Sequence, residues 1–162
     1  ARIDPGNWAA WEGLGDIAKT YAFWRLDPDE KREQAELSRD AYARAVKGNP
    51  QEMRLVYGLG LAELALDNEE RGLVLLREAA VRNPWMLNYR SQYALELRRR
   101  GRLEEALEEL RTARTYGRDP MIDLNIKRLE QELGIKPAKA QRKAKPAPAA
   151  EPKPKDDSPA AD

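Results

Sequence analysis

Two of the side chains most often used in catalysis are missing from this chain, which has no cysteine and no histidine among its 162 residues. A thiolate nucleophile, a Cys/His zinc site and a Ser-His pair are therefore excluded within it. Paired glutamates remain at 104–105 and 108–109, and paired carboxylates can act as acid and base. Arg102 and Arg111 stand beside them at the salt-bridge spacing of a helix, so we predict a solvated face there.

Glycine pairs are the second candidate for chemistry, since glycine-rich loops can cradle phosphates. Gly-Leu-Gly triplets occur at residues 13–15 and 58–60. Neither triplet extends to a G-x-G-x-x-G or Walker pattern, and neither follows a strand-like run. We therefore predict that both supply small packing positions within helices, and that the chain has no catalytic residue, metal site or cofactor and is not an enzyme by itself.

The densest run of basic residues before the C-terminal segment is Arg98 to Arg100 with Arg102. It has no interleaved aromatic residue, and the region that contains it, residues 1–135, holds 22 basic and 24 acidic side chains. Both features disfavour nucleic-acid contact. Arginines at this point also suit the C-terminus of a helix, where positive charge meets the negative end of the helix dipole.

Residues 136–162 differ in composition from the rest of the chain. They hold six of the eleven prolines, eight alanines, seven basic and four acidic residues, and no Leu, Ile, Val, Met or aromatic residue. Such a segment cannot bury enough apolar surface to offset the entropy of ordering it, so we predict a disordered, partly polyproline-like tail. A solubilising spacer is one role for it, and weak contact with nucleic acid or anionic lipid is the alternative.

Apolar residues recur three or four apart throughout residues 1–135, as they do on one face of a helix. Met53, Val56 and Leu59 show this spacing, and strand-like alternation is absent. The pattern is interrupted by helix-ending or helix-starting residues at 4–7, 27–28, 48–50, 83–84, 101 and 117–120. Six or seven helices of roughly 12 to 20 residues are therefore predicted.

The spacing of two prolines reveals a repeat, because Pro50 and Pro84 stand 34 residues apart and each closes an Ala-x4-Pro string. This register aligns three upstream strings, which are Trp11-x2-Leu14-Gly15, Val56-x2-Leu59-Gly60 and Arg90-x2-Tyr93-Ala94. It also aligns three downstream strings, which are Tyr42-x2-Ala45, Leu76-x2-Ala79 and Leu110-x2-Ala113.

In these strings the sequence resembles the tetratricopeptide repeat (TPR), whose W-x2-L-G-x2-Y, A-x3-F and terminal P pattern they follow. The resemblance implies an all-α solenoid with three TPR-like repeats over 8–120, divided as 8–50, 51–84 and 85–120, and a capping helix over 121–135. Each repeat needs small residues where its helices touch. We expect those close contacts at Gly15, Ala45, Gly60, Ala79, Ala94 and Ala113.

The first repeat is longer than the others, since Trp11 and Pro50 lie 39 residues apart where a standard repeat uses about eleven fewer. The added residues fall within 18–38. One interpretation is that both helices are longer and that Tyr21, Phe23 and Trp24 pack between their ends. The other is that these aromatic residues form an exposed anchor for a partner.

Residues 1–7 are similar to the end of a preceding repeat, so we expect this chain to be a fragment. Residues 5–50, with their NWxAWxGLG, AFW and YxRAxxxNP strings, also resemble the TPR regions of some bacterial membrane-bound O-antigen ligase or polymerase-like proteins. That resemblance implies a membrane segment upstream. No apolar run within the chain reaches the roughly 20 residues of a membrane span, so we expect it to be soluble. The sequence leaves its compartment unknown, cytoplasm or periplasm.

The TPR resemblance also implies a binding surface, because the first helix of each pair lines a concave groove in such arrays. Some chaperone-binding members hold a peptide carboxylate there with a Lys/Asn/Arg clamp, but Glu12 and Asp16 stand where that clamp would start. The groove is expected to be acidic at one end, apolar in the middle, and polar and basic at the other. By register its residues are Glu12, Asp16, Lys19, Arg54, Tyr57, Leu61, Leu64, Asn88, Ser91, Leu95 and Arg98.

Together these patterns predict a non-catalytic interaction scaffold that binds a protein or peptide through its groove. Two alternatives stay open: an appendage of a membrane-bound ligase-like protein, and weak nucleic-acid association through the tail. No small-molecule substrate is expected.

Overall fold

The computed structural model describes residue 4, residues 6–23 and residues 27–135, with the backbone alone at 20–23. These residues form seven helices and no strand, which confirms the predicted all-α class. The helices are α1 (Trp8–Phe23), α2 (Pro28–Gly48), α3 (Met53–Ala65), α4 (Glu69–Arg82), α5 (Leu87–Arg99), α6 (Leu103–Tyr116) and α7 (Pro120–Glu132).

Helix ends fall at the interruptions read from the sequence. Asp27 caps α2, accepting hydrogen bonds from the amides of residues 29 and 30, while the Glu30 side chain accepts one from the Asp27 amide. This reciprocal arrangement satisfies amides that have no partner within the helix. Asp119 caps α7 by accepting a hydrogen bond from the Met121 amide. Gly101, with φ of 75°, ends the α5 turn in a conformation that favours glycine.

Consecutive helices pack against each other in antiparallel pairs, α1 with α2, α3 with α4 and α5 with α6, and α7 closes the end on α6. Three buried clusters run through this stack, and each draws on at least three successive helices. The core is therefore continuous from repeat to repeat, as in other solenoids. In the described part of the chain, no helix is long and apolar enough to cross a membrane.

The small residues expected at helix contacts are all buried, and Ala45, Ala79, Ala94 and Ala113 are at most 1% exposed. Gly60 lies against the next helix, where an added Cβ would stand 3.1 Å from Cδ2 of Leu76.

In the first triplet the packing position is Gly15, as the register predicted. Gly13 is exposed and has open space where a side chain would project. Both glycines of the second triplet pack: an added Cβ on Gly58 would lie 2.4 Å from the Tyr42 ring.

The long first repeat consists of a 16-residue α1 and a 21-residue α2. The side chains of Tyr21, Phe23 and Trp24 lie outside the described residues, so the choice between core and exposed anchor stays open. Residues 1–3 and the predicted tail at 136–162 also lie outside them.

Candidate protein-binding groove

Contacts between alternate helices bring α1, α3, α5 and α7 onto one side of the stack. Arg54 of α3 pairs with Glu12 of α1 at 2.8 Å. Tyr57 of α3 stacks on Tyr89 of α5, with ring centroids 4.6 Å apart. Further along, Arg98 of α5 pairs with Glu132 of α7. We call this side the groove face, and define it by the side chains that α1, α3, α5 and α7 present beside these three contacts.

At the α1 end of the groove face, Tyr42 reaches out from α2 between two glycines. Its ring is in van der Waals contact with the backbone of Gly15 on one edge and of Gly58 on the other. Its hydroxyl donates a hydrogen bond of 2.6 Å to Asp16, and Lys19 donates to both oxygens, at 2.7 Å to Asp16 and 3.3 Å to Tyr42. Because these two positions carry no side chain, Tyr42 of α2 can reach Asp16 and Lys19 of α1.

Tyr42 and Asp16 have shifted pKa values in this network. Burial, followed by the hydrogen bond to the Asp16 carboxylate, raises the pKa of Tyr42 far above its ordinary value. Partial burial acts to raise the pKa of Asp16, but hydrogen bonds from Lys19 and Tyr42 outweigh it and hold that pKa below its ordinary value. The Tyr42 hydroxyl thus stays protonated and the Asp16 carboxylate stays charged at neutral pH.

The charges of the groove face are paired within the protein. Glu12 pairs with Arg54, Asp16 with Lys19, and Arg98 with Glu132. The expectation of an acidic end and a basic end is therefore wrong in its electrostatics, because each of these charges has an opposite charge in contact with it and their fields largely cancel at a distance.

The middle of the groove face is aromatic and aliphatic. The Tyr57 and Tyr89 rings stack with an interplanar angle of 25°, and burial raises the pKa of both hydroxyls. Leu61 is half-buried against the largest core cluster. Leu64 is half-buried too, and it packs on Gly72 of α4, where an added Cβ would lie 2.5 Å from its Cγ. Tyr57 and Leu64 therefore also hold the stack together.

At the far end, α5 and α7 form a shallow cleft beside Arg98. Asn88 is exposed, Ser91 is half-buried, and Leu95 keeps 37% of its surface exposed. The cleft has about 20 Å³ of free volume, room for about one water molecule. It is lined by Ser91, Ala94, Leu95, Arg98, Leu110, Asn125 and Leu129.

Some important contacts were not predicted from the sequence. Arg90 stands at the position taken by Trp11 and Val56 in the other repeats, yet it is buried, pairing with Glu109 and donating to the Ala80 carbonyl at 3.3 Å. Glu109 is therefore not part of a solvated face. A charged residue at an apolar repeat position was the one signal that could have indicated this pair.

The run of arginines is also paired. Arg99 and Arg100 both pair with Glu96, at 2.7 and 2.8 Å, and Arg102 pairs with Glu105 at 2.6 Å. Arg98 pairs with Glu132, as described above. Because every guanidinium of the run has a carboxylate beside it, the run does not form an unneutralised patch for nucleic acid.

The fold is that of a tetratricopeptide repeat array, as solved structures with the same fold show. The TPR domain of Arabidopsis OM64 has a TM-score of 0.64 at 15% identity, covering 79% of this chain and 98% of that one. MamA has a TM-score of 0.66 at 16% identity, covering 82% of this chain and 71% of that one. YrrB, a TPR protein with an unusual peptide-binding site, has a TM-score of 0.61 at 20% identity, covering 83% of this chain and 64% of that one.

At these identities the likeness establishes the fold and confirms the TPR resemblance at that level. No protein-family model matches the chain, and no curated protein matches it in sequence. The resemblance of residues 5–50 to ligase-like membrane proteins stays a prediction.

The buried tyrosines lead to an expected alkaline instability. Burial raises the pKa of Tyr42, Tyr57, Tyr89 and Tyr93 in the folded chain. Their contribution to stability is fully present below the unfolded pKa of about 10, and is lost as pH rises above it because the unfolded chain releases its protons first. A tyrosine that stays protonated in the folded chain while it ionises in the unfolded chain steepens the fall in unfolding free energy by at most about 1.4 kcal/mol per pH unit.

Tyr42→Phe is therefore expected to make the decrease of the unfolding free energy above pH 10 shallower by up to about 1.4 kcal/mol per pH unit. At pH 7 the same variant is expected to lower the unfolding free energy by about 1.5 kcal/mol, because it loses a hydrogen bond to a charged acceptor. Urea unfolding followed by circular dichroism between pH 7 and 11.5 measures both effects. If the slope of unfolding free energy against pH above pH 10 is the same in both proteins, the Tyr42 hydroxyl ionises as readily in the folded chain as in the unfolded chain.

Proposed function

We propose that this chain is a non-catalytic protein-protein interaction scaffold, and that a partner peptide lies along its groove face. The observation that carries the proposal is the exposed Leu95 side chain beside the cleft between α5 and α7. An apolar side chain bordered by polar ones on a first helix is suited to anchor a peptide, because its burial on binding contributes about 25 cal/mol per Å².

The depth of the cleft constrains the mode of binding. A free volume of about 20 Å³ cannot accept a leucine or aromatic side chain. The partner's apolar side chain therefore packs over Leu95 at the surface, instead of entering a pocket. Ser91 and Asn125 line the cleft and are placed to hydrogen-bond with the peptide backbone.

The paired charges indicate what the groove does not select. Arg54, Lys19 and Arg98 each have a carboxylate beside them, so binding a peptide carboxylate there would require breaking an existing ion pair. We propose that recognition depends on an internal apolar residue of the partner, without a requirement for a free C-terminus. The weak salt dependence expected from this mode separates it from electrostatic docking.

The test uses random dodecapeptides displayed on phage and selected on the full chain. Selected peptides are expected to lose at least tenfold in affinity for a Leu95→Glu variant, because the introduced carboxylate would be desolvated beneath the bound apolar residue. Val74→Glu is the matched control, since Val74 is an even more exposed aliphatic residue, at 65%, but lies on the second helix α4.

Equal loss of affinity in the two variants would place the peptide elsewhere and contradict the groove proposal. So would peptides that bind the wild-type chain and the Leu95→Glu variant equally well. Amidating the peptide C-terminus is expected to leave affinity unchanged, and a large loss would show that a carboxylate is recognised after all.

A further inference from the structure

Trp85 and Tyr116 form a pair of aromatic rings at the edge of the stack where the turns between repeats lie. Neither residue belongs to the groove face. Trp85, in the turn between α4 and α5, keeps 73% of its surface exposed, although tryptophan is usually well covered. Tyr116, the last residue of α6, meets the Trp85 ring edge to face, with centroids 5.5 Å apart and an interplanar angle of 83°. The two rings form an aromatic notch, a name we use for this pair.

Neighbouring contacts hold the notch in place. The Arg90 guanidinium lies 6.0 Å from the centre of the Tyr116 ring, and that guanidinium is itself fixed by the buried pair with Glu109. Leu87 packs on Gly117, the residue that follows Tyr116. The notch is therefore supported by the core, while its outer surface is left to solvent. Two aromatic rings at a steep angle are the kind of surface that receives proline rings of a polyproline helix.

We propose that the occupant of the aromatic notch is this chain's own proline segment, residues 146–154. The segment holds four prolines, at 146, 148, 152 and 154. Apart from alanine, proline is the apolar residue of the tail, which has no aromatic residue, Leu, Ile, Val or Met. A polyproline helix has three residues per turn, so Pro146 and Pro152 share one face, as do Pro148 and Pro154. Prolines two apart then present neighbouring rings to the notch.

The reach of the chain supports an intramolecular contact. α7 starts close to the notch, because Gly117 packs on Leu87 at the beginning of α5, and it ends beside Arg98 near the end of α5. Its 13 residues span about 20 Å. A random-coil chain of the length from residue 135 to Pro146 would have a typical end-to-end distance of about 18 Å, which matches the distance from the end of α7 back to the notch.

Charge favours the same contact. Residues 136–162 carry a net charge of +3, whereas residues 1–135 carry −2. Opposite net charges raise the concentration of the tail at the surface of the folded part. The contact differs from the groove proposal in both its residues and its ligand, so the two can fail independently.

The test follows the indole N–H resonance of Trp85 in the ¹⁵N-labelled chain of 162 residues, assigned with a Trp85→Phe variant. Replacing the four prolines of the segment with serine is expected to move the Trp85 resonance, because proline rings no longer lie against the indole. The Trp8 and Trp11 resonances are expected to stay in place. A chain with Pro137→Ser and Pro159→Ser, both outside the segment, is the matched control and is expected to match the wild type.

The dependence on concentration separates the sources of the proline segment. A Trp85 shift that is the same at all protein concentrations supports docking of the chain's own tail. A shift that disappears on dilution would show that the tail of a second copy fills the notch, and would overturn the intramolecular proposal. No difference between the wild type and the four-serine chain would overturn it as well, leaving the notch to a proline-rich segment of another protein.

Discussion

Gly58→Ala is expected to lower the free energy of unfolding by about 3 kcal/mol, at the upper end of the cost of overpacking a core. The added Cβ would lie 2.4 Å from both Cε1 and Cζ of Tyr42, far inside van der Waals contact. The other edge of the ring lies close to Gly15, where a built Cβ would stand 2.9 Å from it, so moving the ring away from Gly58 brings it onto the α1 backbone. Either the ring or the spacing between helices must shift, and both are part of the core.

Gly13→Ala is the matched control, since both glycines open a Gly-Leu-Gly triplet within a first helix. Nothing lies within 4 Å of the Cβ that alanine would add at Gly13. Alanine there is expected to raise the free energy of unfolding by roughly 0.5 to 1 kcal/mol, because it restricts the unfolded chain and favours the helix. Urea unfolding of both variants measures the contrast. A stabilising or neutral Gly58→Ala would contradict the packing around Tyr42.

The second large effect concerns the buried ion pair between α5 and α6. Glu109→Gln is expected to cost about 3 kcal/mol, because it leaves the Arg90 guanidinium buried without a counter-charge. Arg90 has only 8% of its side chain exposed, and Glu109 has 23%. The cost should lie near the lower limit for such pairs, since Glu109 is partly solvated.

Replacing both partners tests whether the loss of stability in Glu109→Gln comes from leaving the buried Arg90 charge unpaired. The Arg90→Leu, Glu109→Leu double variant is expected to lie within about 1 kcal/mol of the original stability, because apolar side chains in place of a buried pair avoid the desolvation of two charges. The other repeats carry Trp11 and Val56 at the position of Arg90, so the site suits an apolar residue. A double variant as unstable as Glu109→Gln would contradict this explanation, because it leaves no buried charge unpaired.

The same pair connects the core with the surface notch. Arg90 lies near Tyr116, whose ring contacts Trp85, so a shift of the guanidinium is transmitted to the exposed indole. In the double variant the notch loses this support. The Trp85 resonance is therefore a useful second observation for that variant, alongside its unfolding free energy.

Most of the architecture was predictable from local patterns. The 34-residue spacing of Pro50 and Pro84, the capping residue Asp27 and the glycine at 101 set where helices begin and end, because these residues act on the backbone beside them. The buried alanines followed from the repeat register for the same reason. Each of these features depends on a residue and its near neighbours in sequence, which periodicity and capping describe well.

The candidate site was predictable only in part. Register placed Tyr57, Ser91 and Leu95 on first helices, and the structure has them there. It did not indicate that Tyr57 is stacked on Tyr89, or that the groove charges are paired across helices. Partners that are distant in the sequence, such as Arg54 and Glu12 or Arg98 and Glu132, meet only because the stack brings their helices together.

The fold class, the helix ends and the small packing positions are therefore properties of the amino-acid order, since they arise from backbone preferences and helical periodicity. Three features arise only from the assembled solenoid. They are the clamping of Tyr42 between two glycines, the burial of Arg90 with Glu109, and the meeting of Trp85 with Tyr116. Each depends on distances between helices that no local pattern encodes, because side-chain contacts across a repeat stack are determined by how the helices pack.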